Sequence, residues 1–400
     1  MNTTLRSFAQ ARLEALCHTV DFEPAIAAET LDMFLAPWGD CSLRARPPWP
    51  SDITDDHTPV ELSLSIEGNR LEPRFLVEVQ GRDGSLASAW SAARETNERL
   101  HRRYGVSLAR LAEIEALFEP RGVDARFGMW HAVWLRPAQA PLFKIYLNPQ
   151  VQGRGEAPAL VEEALRRLGF SRAWSFLAAQ LGRRGVSDDL IYFSLDLDGG
   201  AHARVKVYVA HPRARVEEID PLLASGPDHV HGDAERFCRA MTGGTGPFHA
   251  RPLLTCFAFT DPAEARPQSV TLHLPIRCYV DSDQVALHRI SSYLGEGTGS
   301  MYRRAITAIA GRPLDARTGI QTYVSLQRRR GGSRVTVYLG LEAYTPSAPR
   351  RQHHEIRTPV GHGAPDRIMA SGRERPVVVS ALRYASGSNF EKKWDSTSGE

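Results

Sequence analysis

Five basic side chains, Arg74, Lys144, Arg204, Lys206 and Arg334, and four rings, Tyr146, Tyr208, His273 and Tyr338, carry most of the chemistry legible in this chain. Lys144, Lys206, Thr271 and Thr336 recur about 62 to 65 residues apart, a period that marks a repeated supersecondary unit. Each is followed two places later by one of the four rings. Five cations on one wall are costly unless an anion of matching charge binds there. A diphosphate fits, because arginine offers forked donors to phosphate oxygens and lysine a compact point charge. Rings one step along the same wall present a negative π face and shelter from water, which suits the cation left when diphosphate departs from an allyl group. Any one of these tyrosines alone would read as packed core with its hydroxyl satisfied; the coupling to the cations favours the shielding role for Tyr146, Tyr208 and Tyr338.

The elements that position these groups are strands. FKIYLNP (143–149), ARVKVYVA (203–210), SVTLHLP (269–275) and RVTVYLG (334–340) each alternate strictly. Successive side chains on a strand face opposite ways, so Lys144 and Tyr146 oppose Phe143, Ile145 and Leu147, and the same split recurs in the other three. A solvated face needs no regular tyrosines, so the cationic face is expected inside a barrel. Hairpin partners lie upstream at 127–135, 191–197, 253–260 and 319–327. An earlier hairpin, 60–66 with 72–80, places Glu61 on the same face and Arg74 about 70 residues before Lys144. Ten antiparallel strands result. Helix-like stretches at 85–104, 108–118, 158–181, 216–223, 233–241, 282–294 and 300–310 can cover the apolar outer face. The expected fold is therefore α+β: a ten-stranded antiparallel barrel ringed by helices, wide enough to hold a ligand.

From about Trp49 to Tyr344 the chain resembles the aromatic prenyltransferases of the dimethylallyltryptophan synthase type, on DHTPVELSLS (56–65), FKIYLNP, ARVKVYV and RVTVYLG. The resemblance implies five αββα repeats around the barrel, and transfer of a dimethylallyl group from dimethylallyl diphosphate to the indole of L-tryptophan or a small derivative. It also implies metal independence, with the allylic diphosphate as co-substrate and no cofactor. In the matching motif the glutamate at Glu61 accepts the indole N–H, a task that needs position rather than an unusual pKa; from the residues alone, Glu61 could equally end a strand at the surface. His273 stands where many relatives carry tyrosine. Neighbouring positive charge should leave it a neutral imidazole and a candidate base, although a packing histidine is the alternative.

Relatives that alkylate indole carbon 4 use a lysine on the second hairpin, and FGMWHAVWL (127–135) has none. Trp130 or His131 faces the lumen there, with Trp130 the expected acceptor contact. Both departures direct alkylation to carbon 6, with carbons 5 and 7 behind it. Two other activities keep the same barrel: prenyl transfer to another indole, a phenol or a cyclic dipeptide, and non-catalytic binding of an anionic aromatic ligand, which needs the cations but not Glu61.

Composition sets the remaining bounds. A 400-residue chain that is 42% apolar can bury a large core, and the repeat argues for one domain over 1–345. The Pro-, Arg-, His- and Ser-rich 346–400 tail reads as loosely ordered. A net charge of +3 is too small to indicate a nucleic-acid partner. Arg328, Arg329 and Arg330 fall at an expected hairpin tip, the glycines of GEGTGS (295–300) lack a phosphate-loop lysine, and His353 and His354 carry no role. No run is long and apolar enough for a membrane and no signal peptide is visible. Cys17, Cys41, Cys238, Cys256 and Cys278 are scattered, which fits a reducing cytoplasm. Asp55-Asp56 and Asp188-Asp189 lack the third carboxylate of an Asp-Asp-x-x-Asp magnesium cluster, so no metal site is expected and protein cations take that part. The partners are small molecules, and the chain is expected as a monomer or homodimer.

Overall fold

The computed structural model describes residues 3–36, 38–43, 49–121, 125–185 and 188–344. The expected tail, 346–400, with its histidines, lies outside the described residues. Alternation along the chain is realised as ten strands: β1 Val60–Glu67, β2 Arg70–Val77, β3 Met129–Trp134, β4 Leu142–Leu147, β5 Asp189–Asp196, β6 Val205–His211, β7 Leu253–Phe259, β8 Ser269–Leu274, β9 Gln321–Arg329 and β10 Gly332–Gly340. Each pairs antiparallel with its sequence neighbours, and β1 pairs with β10 from Glu61↔Gly340 to Glu67↔Arg334, closing the barrel. Closure leaves no exposed sheet edge.

Two helices precede every hairpin: α1 Leu5–Thr19 and α2 Pro24–Leu35, α3 Leu86–Tyr104 and α4 Ala109–Ile114, α5 Ala157–Arg167 and α6 Ser171–Leu181, α7 Val216–Leu223 and α8 Asp233–Thr242, α9 Asp283–Leu294 and α10 Glu296–Ile309. Counted from α2, the order is that of αββα units. Two details depart from expectation. The first 48 residues, left without an element in the sequence, hold α1 and α2; a Thr4 capping box starts α1, which buries Leu5, Ala9, Leu13 and Leu16 on one side. The single stretch expected at 158–181 is two helices, because Gly169 takes φ +83°, a left-handed turn that ends α5.

The hydrophobic core lies between barrel and helices. Phe193, Val205, Val207, Leu272 and Val337, all on the outer face, are fully buried. Phe34 of α2 is one contact that seats the helical cover, with ring centroids 5.9 Å from Phe75, 5.3 Å from His131 and 6.5 Å from Phe143. His131 thus points outward, where its Nε2 lies 2.9 Å from Asn97 Oδ1 of α3, and Trp130 takes the lumen side. The arginine run is split: Arg329 ends β9, Gly331 makes the turn at φ +81°, and Arg328 is ion-paired with Asp233. Among the described residues, no helix is long and apolar enough to cross a membrane.

Replacing Phe34 with Ala should cost about 3–5 kcal/mol of unfolding free energy, the range for truncating a buried aromatic. Urea denaturation measures it, and a loss below about 1 kcal/mol would show that α2 does not clamp the barrel.

Candidate active site

Directly opposed residues in an antiparallel ladder share a face, so the register assigns every lumen side chain. All five hairpin turns lie at one end of the barrel, and the helices enter and leave at the other. The cations gather toward the turn end. Arg74 is opposed by Ser63 and Trp134, Lys144 by Asp196, and Lys206 by Ser194. All five expected basic residues reach this region, but in two electrostatic states. Arg204 is held by Asp196 at 2.7 Å and Arg334 by Glu67 at 2.5 Å. Arg74 donates to the Ser65 hydroxyl at 2.7 Å and lies 4.1 Å over the Trp134 ring, while Arg334 lies 5.0 Å from the same ring. Trp134 is itself fixed by donating its indole N–H to Glu72 at 2.9 Å. Arg74, Lys144 and Lys206 make no ion pair among the described residues.

Burial, and then the like charges around them, lower the proton affinity of these three. Lys144 falls well below the usual lysine range, with burial followed by Lys206 and Arg74 as causes. Lys206 falls to about 8, through burial and Arg204, and Arg74 to about 10, through burial and Arg334. Such a cluster favours an anionic ligand, which restores the charged forms.

One step inward lies an aromatic collar. The Tyr146 and Tyr208 hydroxyls share a hydrogen bond at 3.2 Å, with ring centroids 5.6 Å apart. His273 stands between Tyr208 at 5.7 Å and Tyr338 at 5.8 Å. Tyr192 lies 5.7 Å from Tyr208, and Tyr323 lies 6.5 Å from Tyr338. His273 is pushed down to about 3, chiefly by burial and then by Lys206 and Lys144. Both causes favour the neutral imidazole, with desolvation outranking the neighbouring charge invoked from sequence.

Nearer the helix end, Glu61 accepts a hydrogen bond from the Thr322 hydroxyl at 2.8 Å. Burial pushes its carboxyl up to about 8. Gly340 opposes Glu61 in the ladder, and a Cβ there would come within 2.5 Å of the Gly319 carbonyl oxygen, so this close crossing needs glycine. Trp130 stacks on Phe127 at 4.0 Å and approaches Tyr192 at 5.3 Å. Asp55, from the expected incomplete acidic pair, is taken up by Arg251 at 2.5 Å and by Arg277. Among the described residues, no group of three or more histidine, cysteine, aspartate or glutamate side chains could hold a metal ion.

Sequence reasoning missed Tyr192, Tyr323, Thr322, Trp134 and Glu78. Tyr192 and Tyr323 directly oppose Tyr208 and Tyr338 and are in phase with Ser194 and Ser325, so alternation alone would have placed them; Thr322 lies in the irregularity between Gln321 and Tyr323, which no sequence pattern marks. Trp134 was accessible, since Trp130, Ala132 and Trp134 alternate on one strand.

The tryptophan dimethylallyltransferase family model matches residues 33–300. The 6-dimethylallyltryptophan synthase of Micromonospora olivasterospora, solved with DMASPP and Trp, is 35% identical over 87% of this chain and 100% of its own, with a TM-score of 0.81. The 5-dimethylallyl tryptophan synthase of Streptomyces coelicolor, also with DMASPP and Trp, is 33% identical over 87% of this chain and 98% of its own, at 0.79. The prenyltransferase PriB, with product diphosphate, is 33% identical over 87% and 99%, at 0.80. With a family match over more than half its length and relatives this similar across the barrel, the chain belongs to the tryptophan dimethylallyltransferase family and is an enzyme that transfers prenyl groups.

Proposed function

We propose that this chain transfers the dimethylallyl group of dimethylallyl diphosphate to the indole ring of L-tryptophan, forming the new bond at carbon 6 without a metal ion. The observation that carries this reading is the axial order of the lumen: unpaired cations, then aromatic rings, then a buried glutamate. Arg74, Lys144 and Lys206 take the diphosphate, with Arg204 and Arg334 braced beside them by Asp196 and Glu67. The allyl carbon–oxygen bond breaks and its electron pair leaves with the diphosphate, whose charge these cations stabilise in place of a metal. Tyr146, Tyr208 and Tyr338 shield the allyl cation. Glu61 accepts the indole N–H and raises the electron density of the ring, so a ring carbon's π pair forms the bond to the allyl carbon. Neutral His273 then takes the ring proton and aromaticity returns. An imidazole with so low a proton affinity suffices, because the proton on the alkylated ring is strongly acidic. Trp130 lines the acceptor space.

Two solved relatives are named for carbon 6 and for carbon 5; the absence of a lysine on β3 and His273 in the collar support carbon 6. All these groups come from one chain, so a monomer is sufficient and a homodimer is compatible. Five free cysteines fit the cytoplasm as the place of action.

Incubation with L-tryptophan and dimethylallyl diphosphate in excess EDTA should give one product, which NMR identifies as substituted at carbon 6. His273→Phe should cut turnover or spread substitution over several carbons while diphosphate affinity persists. Activity that vanishes in EDTA and returns with magnesium overturns the metal-free reaction, and product solely at carbon 4 overturns the acceptor orientation.

Removing Lys206 forfeits a charge-assisted contact worth about 1.5–3 kcal/mol. Lys206→Ala should therefore lower kcat/KM for the donor about 10- to 100-fold. A lysine whose pKa is lowered is charged only below that value, so wild-type donor kcat/KM should fall as pH rises through about 8. Unchanged donor kinetics in the variant would remove the lysine from the diphosphate site.

Glu61→Gln keeps shape and loses charge. Turnover should drop by about 10²- to 10⁴-fold, the scale of a positioned acid–base group, while inorganic diphosphate binds as before. In the wild type, acceptor kcat/KM should rise with pH toward about 8 as the raised carboxyl ionises. A variant of equal rate would exclude Glu61 from contact with the acceptor.

A further inference from the structure

Glu78 is a lumen carboxylate that none of these steps uses. It follows Val77, the last residue of β2, and continues the pairing with the chain before β1, its N–H donating to the Pro59 carbonyl at 2.9 Å. Leu76 opposes Glu61 and faces inward, so Glu78, two residues on, faces inward as well. It is 1% exposed, and neither of its carboxylate oxygens reaches a donor in hydrogen-bond geometry; the Trp130 indole Nε1 beside it is also without a partner. A buried carboxyl left in this state is costly, and a cationic donor group on a ligand would relieve it.

The charge inventory at this end of the barrel sharpens the point. Asp55 is neutralised by Arg251 and Arg277, and Asp52 faces Arg126 at 3.6 Å. Glu61 and Glu78 have no basic partner among the described residues, whereas the unpaired cations lie toward the opposite end. Burial pushes Glu78 up to about 8, against the pull of the nearby Ser51 hydroxyl and Trp130 indole N–H. An ammonium group brought against it would hold it ionised.

We propose that Glu78 binds the α-ammonium group of the amino-acid acceptor while Glu61 takes the indole N–H. The two glutamates are diagonal neighbours on paired strands, a relation that sets side chains about 7–8 Å apart or somewhat less. That spacing is comparable with the reach from ring nitrogen to α-nitrogen in tryptophan. Glu78 then selects amino acids over other indoles, and the inference rests on L-tryptophan being the acceptor.

The test compares L-tryptophan with indole-3-propionic acid, which keeps the ring and the carboxylate and lacks the ammonium, by calorimetric titration of the full chain. The wild type should bind L-tryptophan at least about tenfold more tightly. Glu78→Gln should weaken L-tryptophan about 10- to 100-fold, the worth of one charge-assisted contact, and leave indole-3-propionic acid within about twofold. Glu78→Asp should recover part of the loss. A purely structural role for Glu78, steadying Trp130, would weaken both ligands in parallel, and that result overturns the proposal. Unchanged L-tryptophan affinity in Glu78→Gln, or a wild type that does not distinguish the two ligands, overturns it as well. A wild type that alkylates another indole but neither binds nor converts L-tryptophan overturns the acceptor assignment itself, a result separable from any comparison of variants.

Discussion

The pairing of β1 with β10 is the constraint on which the rest depends. Side chains alternate with a period of two, so a slip of one residue in that seam would turn Glu61, Ser63 and Ser65 outward and bring Leu62 and Leu64 into the lumen. Closure propagates the choice around all ten strands, and the helices then enforce it, because they offer mainly apolar surface to the outer face. Gly340, which crosses closely over the Gly319 carbonyl, is the ladder partner of Glu61 in that seam. Position of the acceptor glutamate and closure of the fold are therefore the same structural fact.

Within that frame the lumen is polarised along its axis. Three basic side chains without counter-ions are tolerated because their neighbours are braced: Asp196 on Arg204, Glu67 on Arg334, and the Trp134 ring between Arg74 and Arg334. The depressed proton affinities of Lys144 and Lys206 record the residual cost. A diphosphate bound there would reverse that cost, so the groups that weaken the free barrel would favour the bound one. The carboxyls of Glu61 and Glu78, both raised to about 8 by burial, show the same logic with opposite sign near the other end.

Much of this was legible because the second strand of each hairpin alternates cleanly: Lys144 with Tyr146 and Lys206 with Tyr208 announce both the strand and its inward face. The first strands were harder. An irregularity in β9 takes Thr322 out of the phase its neighbours suggest, and Trp130 and His131 are adjacent, so only the ladder decides which of them points inward. Desolvation could not be read at all. It depends on how completely a side chain is enclosed, which is why charge was given first place in the neutrality of His273. Glu78 stood in plain view two residues beyond Leu76, but that it has no basic partner among the described residues is a three-dimensional property. The helices α1 and α2 were missed for a different reason: they precede the first hairpin, so no repeat lent them context.

The geometry of attack follows from what is fixed and what is free. On the proposed reading, the basic wall and the collar would hold the allyl cation in one place, so the carbon that reacts would be set by how the indole lies beneath it. A single hydrogen bond from the ring N–H to Glu61 fixes the distance of the ring but leaves it free to swing about that contact. A second hold on the α-nitrogen at Glu78, on the adjoining strand, removes that freedom without touching the ring. Two carboxylates at a spacing set by the β1–β2 ladder would then turn one edge of the benzene ring toward the cation. Regiochemistry in this barrel is, on that argument, a consequence of the distance between two glutamates and the diphosphate wall, and the base at His273 need only accept the proton from whichever carbon that distance selects.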